Sequence, residues 1–164
     1  MSISKVSREK RANFNDKVKM YDFAAGPYPC RVHIALCEKK LHEQVEYQTV
    51  DIFKGEHKQE WFKKINYSCT FPVIEFDNGT YLMETTSIID YIDKQGHNPG
   101  SLSGYDPLEQ ATIWMMARRV ELQFSEPLSY YLHHATPGLG PDTEESQNKE
   151  WGVYQREKGL KGAK

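Results

Sequence analysis

The fold is decided by residues 71–85, which read Phe-Pro-Val-Ile-Glu-Phe-Asp-Asn-Gly-Thr-Tyr-Leu-Met-Glu-Thr. Two runs of β-forming residues, 71–76 and 80–83, flank a turn that contains Asn78-Gly79. An Asn-Gly pair between two such runs is the strongest short-range signal for a β-hairpin. This stretch therefore predicts two antiparallel strands joined by a tight turn.

A helix is expected directly after the hairpin. Thr85 and Thr86 are residue types that cap helix N-termini. Ile88, Ile89 and Ile92 follow at helical spacing, so we expect them to face the core.

The segment before the hairpin predicts a β-α-β unit and a further short helix. Residues 18–23 alternate as a strand does, and Pro29 suits the first turn of a helix because its missing N–H costs nothing there. A second strand is expected at 45–52 and a short helix at 56–66. The order is therefore βαβαββα, and it requires a mixed sheet because the β-α-β strands are parallel and the hairpin strands antiparallel.

The second half of the chain predicts helices alone. Apolar residues recur every three or four positions from Leu108 to Leu132 after a turn-rich linker, and a last helix is expected from Glu144. The final residues are too few to finish a helical domain, so we expect the chain to lack helices of the complete protein. The predicted organisation is a flexible tail at 1–17, an α/β domain at 18–95, a linker at 96–107 and a partial all-α domain at 108–164.

Composition narrows the classes of function. The 164 residues carry a net charge of −2, which gives no general attraction to nucleic acid or to an anionic membrane. There is no apolar stretch long enough for a signal peptide or a membrane span. The three cysteines show neither a CxxC nor a zinc-binding spacing, so we expect no metal site and a reducing, cytoplasmic setting.

Two short motifs are candidates for holding a peptide-like ligand. Phe71-Pro72 opens a strand after a loop, and a cis bond there would turn the backbone outward to pair with a peptide; an ordinary trans proline is the alternative. Glu84-Thr85 lies at a strand-to-helix junction, where free N–H groups and the Thr85 hydroxyl can hold a carboxylate and Glu84 an ammonium. The alternative for this pair is a plain helix cap.

A third motif is basic. Lys54, His57 and Lys58 surround the start of the second predicted helix and could receive another carboxylate. The alternative is a solvated charged loop.

Taken together, these motifs resemble the glutathione transferase superfamily, most closely its phi-like and bacterial members. The resemblance rests on five stretches: Arg31-Val32, Gly55 to Lys58, Asn66 to Val73, Glu84-Thr85 and Asp106 to Glu109. It runs continuously from Val18 to about Gln95 and more loosely beyond.

The resemblance implies a thioredoxin-like N-terminal domain followed by an all-α domain, with glutathione as the ligand. The γ-glutamyl end would lie at the strand-to-helix junction, the cysteinyl backbone beside a cis proline and the glycine carboxylate at the basic motif. The implied glutathione-binding residues are Lys54, His57, Lys58, Phe71, Pro72, Glu84 and Thr85.

The position of the thiol-activating group departs from the family pattern. Serine-type relatives carry a hydroxyl where this chain has Gly26 and Pro27, neither of which can donate from a side chain. Tyr28 and Cys30 are the nearby candidates for a catalytic role. Cys30 in the first helical turn could exchange disulfides with glutathione, or it could be a packing residue.

The resemblance implies a cytoplasmic, homodimeric glutathione transferase that detoxifies small electrophilic apolar compounds by conjugation. Two alternatives remain at this point. One is a glutathione-dependent thiol-disulfide oxidoreductase acting through Cys30. The other is a non-catalytic binding or interaction module that keeps the fold.

Overall fold

The structure is a computed structural model, and it describes Phe14, residues 18–137, Glu144 and residues 146–163. The rest of the predicted tail, and most of the loop expected between the last two helices, lie outside the described residues. The chain divides into two compact units between Leu102 and Ser103.

The first unit contains a four-stranded mixed sheet. Its elements are β1 (Val18–Asp22), α1 (Pro27–Glu38), β2 (Val45–Thr49), α2 (Glu60–Ile65), β3 (Val73–Glu75), β4 (Tyr81–Leu82) and α3 (Thr85–Gln95). The strand order is β2-β1-β3-β4, with β1 parallel to β2 and antiparallel to β3, and with β3 antiparallel to β4. The predicted thioredoxin-like βαβαββα order and the hairpin are confirmed.

Two local expectations are corrected. The helix predicted at 56–66 is a 3₁₀ turn followed by α2, because Gln59 between them is extended (φ −76°, ψ 154°). The cap predicted at Thr85 and Thr86 is wrong: Glu84 is the N-cap residue, and no side chain caps the helix. Thr85 is already the first helical residue, since the turn out of β4 is made by the Glu84 backbone.

The main core lies between the sheet and the pair α1 and α3. Met20 of β1, Leu36 of α1, and Ile88 and Ile92 of α3 are completely buried in it. The inward direction predicted for the isoleucines of α3 is thus confirmed. Phe14, which precedes the predicted start of the domain, is also buried in this cluster.

A smaller apolar cluster lies on the opposite face of the sheet, beneath α2. Phe62 of α2 is completely buried there against Tyr21, while the neighbouring Trp61 stays 37% exposed. The rings of Tyr21 and Phe62 meet edge to face at 6.2 Å. The packing of this cluster fixes where the loop between α2 and β3 lies.

A buried ion pair joins the ends of α1 and α3. The side chain of Lys39 is 1% exposed, and its Nζ atom contacts Oδ1 of Asp93, which is completely buried. The same Nζ donates hydrogen bonds to His97 O at 3.1 Å, Asn98 O at 2.6 Å and Ser101 Oγ at 2.7 Å. One ammonium group therefore ties together two helices and the segment that leaves α3.

The second unit is helical, as the sequence predicts. Its elements are α4 (Pro107–Val120), a π-helical stretch (Glu121–Ser125), α5 (Glu126–Ala135) and α6 (Lys149–Gly162). Asp106 caps α4 by accepting hydrogen bonds from Leu108 N at 2.8 Å and Glu109 N at 3.0 Å. Helix α6 packs on α5 through Gly152, where an added Cβ would lie 2.8 Å from the Ala135 Cβ.

The Lys39–Asp93 pair makes a stability prediction. We expect Lys39→Met to lower the free energy of unfolding by about 3 kcal/mol, because it leaves the Asp93 carboxylate buried without its cation. Urea unfolding followed by circular dichroism measures this loss. The double variant Lys39→Met/Asp93→Leu should recover most of it, and Lys40→Met, at an exposed neighbour, should lose little. Equal losses at both lysines would contradict the role of the pair.

Candidate ligand-binding site

Strand β1 and its parallel neighbour β2 deliver two loops to one end of the sheet. Asp22, the last residue of β1, pairs with Thr49, the last residue of β2. The segments that follow both strands therefore emerge side by side. They carry the Tyr28–Cys30 region and the basic motif, which are separated by more than twenty residues in sequence.

The hairpin brings two further segments to the same end. Val73, where β3 begins, pairs with Tyr21 near the end of β1, and Leu82 at the end of β4 pairs with Ile74. The loop before β3 and the junction after β4 consequently flank the loops that follow β1 and β2. The candidate site is this end of the sheet, formed by the segments 23–30, 50–59, 66–72 and 83–85.

The loop before β3 is shaped by Asn66. This residue is 1% exposed, and its Nδ2 donates to Thr70 O at 3.0 Å while its Oδ1 accepts from Ser68 N at 3.1 Å. The Phe71–Pro72 peptide bond that follows is cis, as the resemblance implies.

The strand-to-helix junction has an unusual backbone. Glu84 is exposed and has φ 67° and ψ 113°, a conformation that a residue with a Cβ rarely adopts. Such backbone strain is of order 1–3 kcal/mol and clusters at ligand sites. Because no side chain caps α3, the first N–H groups of this helix have neither a cap nor a partner in the helical ladder.

Thr85 is 7% exposed and has a partner that the sequence analysis did not assign to the site. Its Oγ1 accepts a hydrogen bond from Arg31 Nη1 at 3.3 Å. Arg31 belongs to the family-like Arg31-Val32 stretch of α1. The two residues lie 54 positions apart, so no local pattern indicates their contact.

The basic motif separates into a buried and an exposed part. His57 is 6% exposed, its ring lies 6.1 Å from that of Phe71, and its Nδ1 has no partner among the described residues. Burial, with a smaller contribution from the charge of Lys58, lowers the pKa of His57 below its ordinary value. Lys54 is exposed and pairs with Asp51 at 3.1 Å, which gives it a partner other than a ligand.

Tyr28 and Cys30 lie in the first turn of α1. Tyr28 is half-buried, and Cys30 is exposed, so the packing alternative for Cys30 is wrong. The helix turns Pro29 and Val32 toward the core, and Cys30 falls outside this buried face. Its thiol is accessible, as disulfide exchange requires.

A cavity of about 290 Å³ lies elsewhere in this unit, at the C-terminal ends of α1 and α3. Lys40, Gln44, Gln95 and His97 are among the residues that line it. None of the residues predicted for the glutathione site lines this cavity, and it plays no part in the candidate site.

No group of three or more His, Cys, Asp or Glu side chains in the described part of the chain could hold a metal ion. None of the helices that the structure describes is long and apolar enough to cross a membrane.

Comparison with known proteins identifies the family. Residues 25–95 match the family model described as the N-terminal domain of glutathione S-transferase. Glutathione S-transferase 2 of Saccharomyces cerevisiae is 51% identical over 146 residues, which are 89% of this chain. The match covers 62% of that relative, so this chain spans less than two thirds of its length.

Solved structures agree with this result. The crystal structure of Gtt2 from Saccharomyces cerevisiae is 51% identical with a TM-score of 0.83, covering 88% of this chain and 69% of that one. A glutathione S-transferase domain-containing protein from Marinobacter aquaeolei is 40% identical with a TM-score of 0.83, covering 88% and 70%. The identity, the coverage and the shared fold together place this chain in the glutathione S-transferase superfamily, to which it belongs.

Proposed function

We propose that the chain binds glutathione at the candidate site and that the whole protein transfers the glutathione thiolate to an electrophilic apolar carbon. The observation that carries this proposal is the strand register, which brings four separate loops to one end of the sheet. Glutathione has two carboxylates and one ammonium, and these loops offer separate groups for each charge. Family membership supports the same ligand.

The γ-glutamyl end of glutathione would bind at the start of α3. The uncapped N–H groups and the positive end of the helix dipole favour a carboxylate there. Thr85 would add its hydroxyl, and the exposed carboxylate of Glu84 would pair with the ammonium. The cysteinyl backbone would then pair with Phe71 beside Pro72, as a strand added to a sheet edge does.

The glycine carboxylate would bind at the basic motif. Lys58 and Lys54 are exposed cations, and the buried His57, whose ring lies beside that of Phe71, has a ring nitrogen without a partner among the described residues. A carboxylate that reaches the ring would satisfy this nitrogen. The three charges of the tripeptide would thus lie along a single end of the sheet.

The thiol end would meet the N-terminus of α1. Neither Gly26 nor Pro27 has a side chain that donates, and Gly26 is the N-cap residue of a helix without a side-chain cap. The dipole of this helix favours a thiolate placed beside its start. Pro27 and Pro29 have no N–H group and Cys30 N donates to Gly26 O at 3.1 Å, so the backbone of this turn adds few donors. Tyr28 directly follows Pro27 in the sequence and carries a hydroxyl, and we propose it as the second group for this role.

A second candidate function is thiol-disulfide exchange, because Cys30 is exposed in the first turn of α1. In this reaction the Cys30 thiolate attacks the glutathionyl sulfur of a mixed disulfide between glutathione and a substrate thiol, forms a Cys30–glutathione disulfide and releases the substrate thiolate. A free glutathione thiolate then attacks the Cys30–glutathione disulfide, restores Cys30 and releases glutathione disulfide. The substrate disulfide is reduced, and two glutathione sulfurs are oxidised to the disulfide, so glutathione is the reductant.

The remaining parts of the proposal concern the whole protein. We propose a homodimer in the cytoplasm that detoxifies small electrophiles by conjugation. Exposed apolar side chains on α4, where Trp114, Met115 and Met116 are each about half exposed, support an interface on this helix. Apolar side chains on that scale are a feature of association surfaces.

Glutathione binding is the first test. Calorimetric titration of the full chain should give saturable binding, and Glu84→Ala/Thr85→Ala should abolish it, because both contacts to the γ-glutamyl charges are lost. Glu60→Ala/Lys63→Ala, an exposed ion pair on α2, is the matched control and should bind as the wild type does. A folded wild-type chain that binds no glutathione would rule out the site and favour the non-catalytic module.

Binding should also take up protons through His57. In the free protein burial lowers the pKa of this ring below its ordinary value of 6.5, so the neutral form predominates at pH 6.5. A ligand carboxylate beside the ring raises the pKa, so binding should strengthen as the pH falls between the lower and the higher value. Calorimetry at pH 6.5 in two buffers of different ionisation enthalpy measures the uptake. His57→Gln should remove it, and unchanged uptake in that variant would exclude His57 from the contact.

Cys30→Ser separates conjugation from exchange. We expect this variant to keep conjugation of glutathione to an aryl halide, because the proposed thiolate-stabilising groups are the α1 N-terminus and Tyr28. Absorbance of the conjugate measures it, with Cys37→Ser, at another exposed cysteine of α1, as control. Exchange would be favoured instead if the wild type, Cys30→Ser and Cys37→Ser all failed to conjugate glutathione. Mass spectrometry should then show a mixed disulfide with glutathione in the wild type and Cys37→Ser but not in Cys30→Ser.

A further inference from the structure

We propose that Arg31 is a positioning residue for the γ-glutamyl carboxylate, acting through the hydroxyl of Thr85. The inference deepens the proposed function and rests on it. It concerns which side chain orients the hydroxyl that meets the ligand. The hydrogen bond from Arg31 to Thr85 is the observation that carries it.

The direction of this hydrogen bond determines what the hydroxyl can do. Arg31 Nη1 is a donor with no acceptor capacity, so Thr85 Oγ1 accepts at 3.3 Å. A hydroxyl has one hydrogen, and that hydrogen is then directed away from the guanidinium. Because the Thr85 side chain is rigid at χ1 and the residue is 7% exposed, few directions remain for the O–H bond.

An O–H bond of Thr85 that is directed away from Arg31 suits an anion at the start of α3. Thr85 is the first residue of α3, so its hydroxyl lies beside the N–H groups of the uncapped first turn. A carboxylate at this position accepts from the hydroxyl and from the N–H groups together. An O–H group whose oxygen already accepts a charge-assisted hydrogen bond is also a better donor.

The charge of Arg31 acts in the same sense. Arg31 takes part in none of the ion pairs that the structure describes. No described carboxylate therefore neutralises its positive charge. Only the Thr85 hydroxyl would separate this charge from the proposed anion. A half-buried cation next to the hydroxyl attracts the ligand carboxylate and repels any cation that would compete for the site.

The alternative role of Arg31 is a purely structural tie between α1 and α3. These helices already share the core through Leu36, Ile88 and Ile92, and the Lys39–Asp93 pair joins their far ends. A tie would affect the binding of every ligand to the same extent. A positioning role affects only a ligand that carries the α-carboxylate of the γ-glutamyl residue.

The experiment compares two ligands by calorimetric titration of the full chain. One ligand is glutathione, and the other is 4-aminobutyryl-cysteinyl-glycine, which differs by the loss of this one carboxylate. The variants are Arg31→Met, Arg31→Lys, Thr85→Val and Arg31→Met/Thr85→Val. Lys64→Met, at an exposed lysine of α2, is the control and should leave both affinities unchanged.

We expect Arg31→Met to weaken glutathione binding about tenfold or more, the scale of a hydrogen bond to a charged group. The affinity for the analogue should change less than twofold. Thr85→Val should act in the same way, and the double variant should be no weaker than the weaker single variant, because both residues act through one hydroxyl. Arg31→Lys, which keeps a cation and a donor, should recover part of the loss.

Equal weakening of both ligands by Arg31→Met, additive effects in the double variant, or no effect on glutathione would each overturn the positioning role. If Arg31→Met does not fold, Arg31→Lys carries the same two-ligand comparison. Failure of the proposed function looks different. In that case the folded wild-type chain binds neither ligand, whereas failure of this inference alone leaves wild-type glutathione binding intact.

Discussion

The site depends on the way in which β1 is paired. With β2 parallel on one side and β3 antiparallel on the other, β1 determines which loops can meet. One end of the sheet must then collect the C-terminal ends of β1, β2 and β4 together with the start of β3. Had β3 run parallel to β1, the cis proline segment would lie at the opposite end, far from the start of α1.

The strained junction at Glu84 is held by the packing behind it. Helix α3 is anchored by Ile88 and Ile92 in the core and by Asp93 on Lys39. A left-handed backbone at a residue with a Cβ persists only when the surrounding structure determines it. Rigid burial of the helix therefore holds its uncapped N-terminus at the candidate site.

The charges around the candidate site would suit the proposed tripeptide anion. Arg31 and the N–H groups of α3 supply positive potential at one end of the proposed ligand, and the basic motif supplies it at the other. Burial lowers the pKa of His57 and so favours the neutral form of its ring. In the proposed binding mode the sulfur would lie near the N-terminus of α1, where the helix dipole and Tyr28 are the groups proposed to stabilise a thiolate.

The amino-acid sequence alone determined the order of the elements, the Asn78-Gly79 hairpin, the helical second half and the segments that form the candidate site. These features depend on neighbouring residues, whose spacing and turn chemistry can be read directly from the sequence. Only the tertiary structure decided that Lys39 is buried against an aspartate, that Cys30 is exposed and that Arg31 donates to Thr85. Each of these depends on which face of a helix meets which part of the chain. Contacts between residues more than fifty positions apart leave no local pattern, so packing alone determines them.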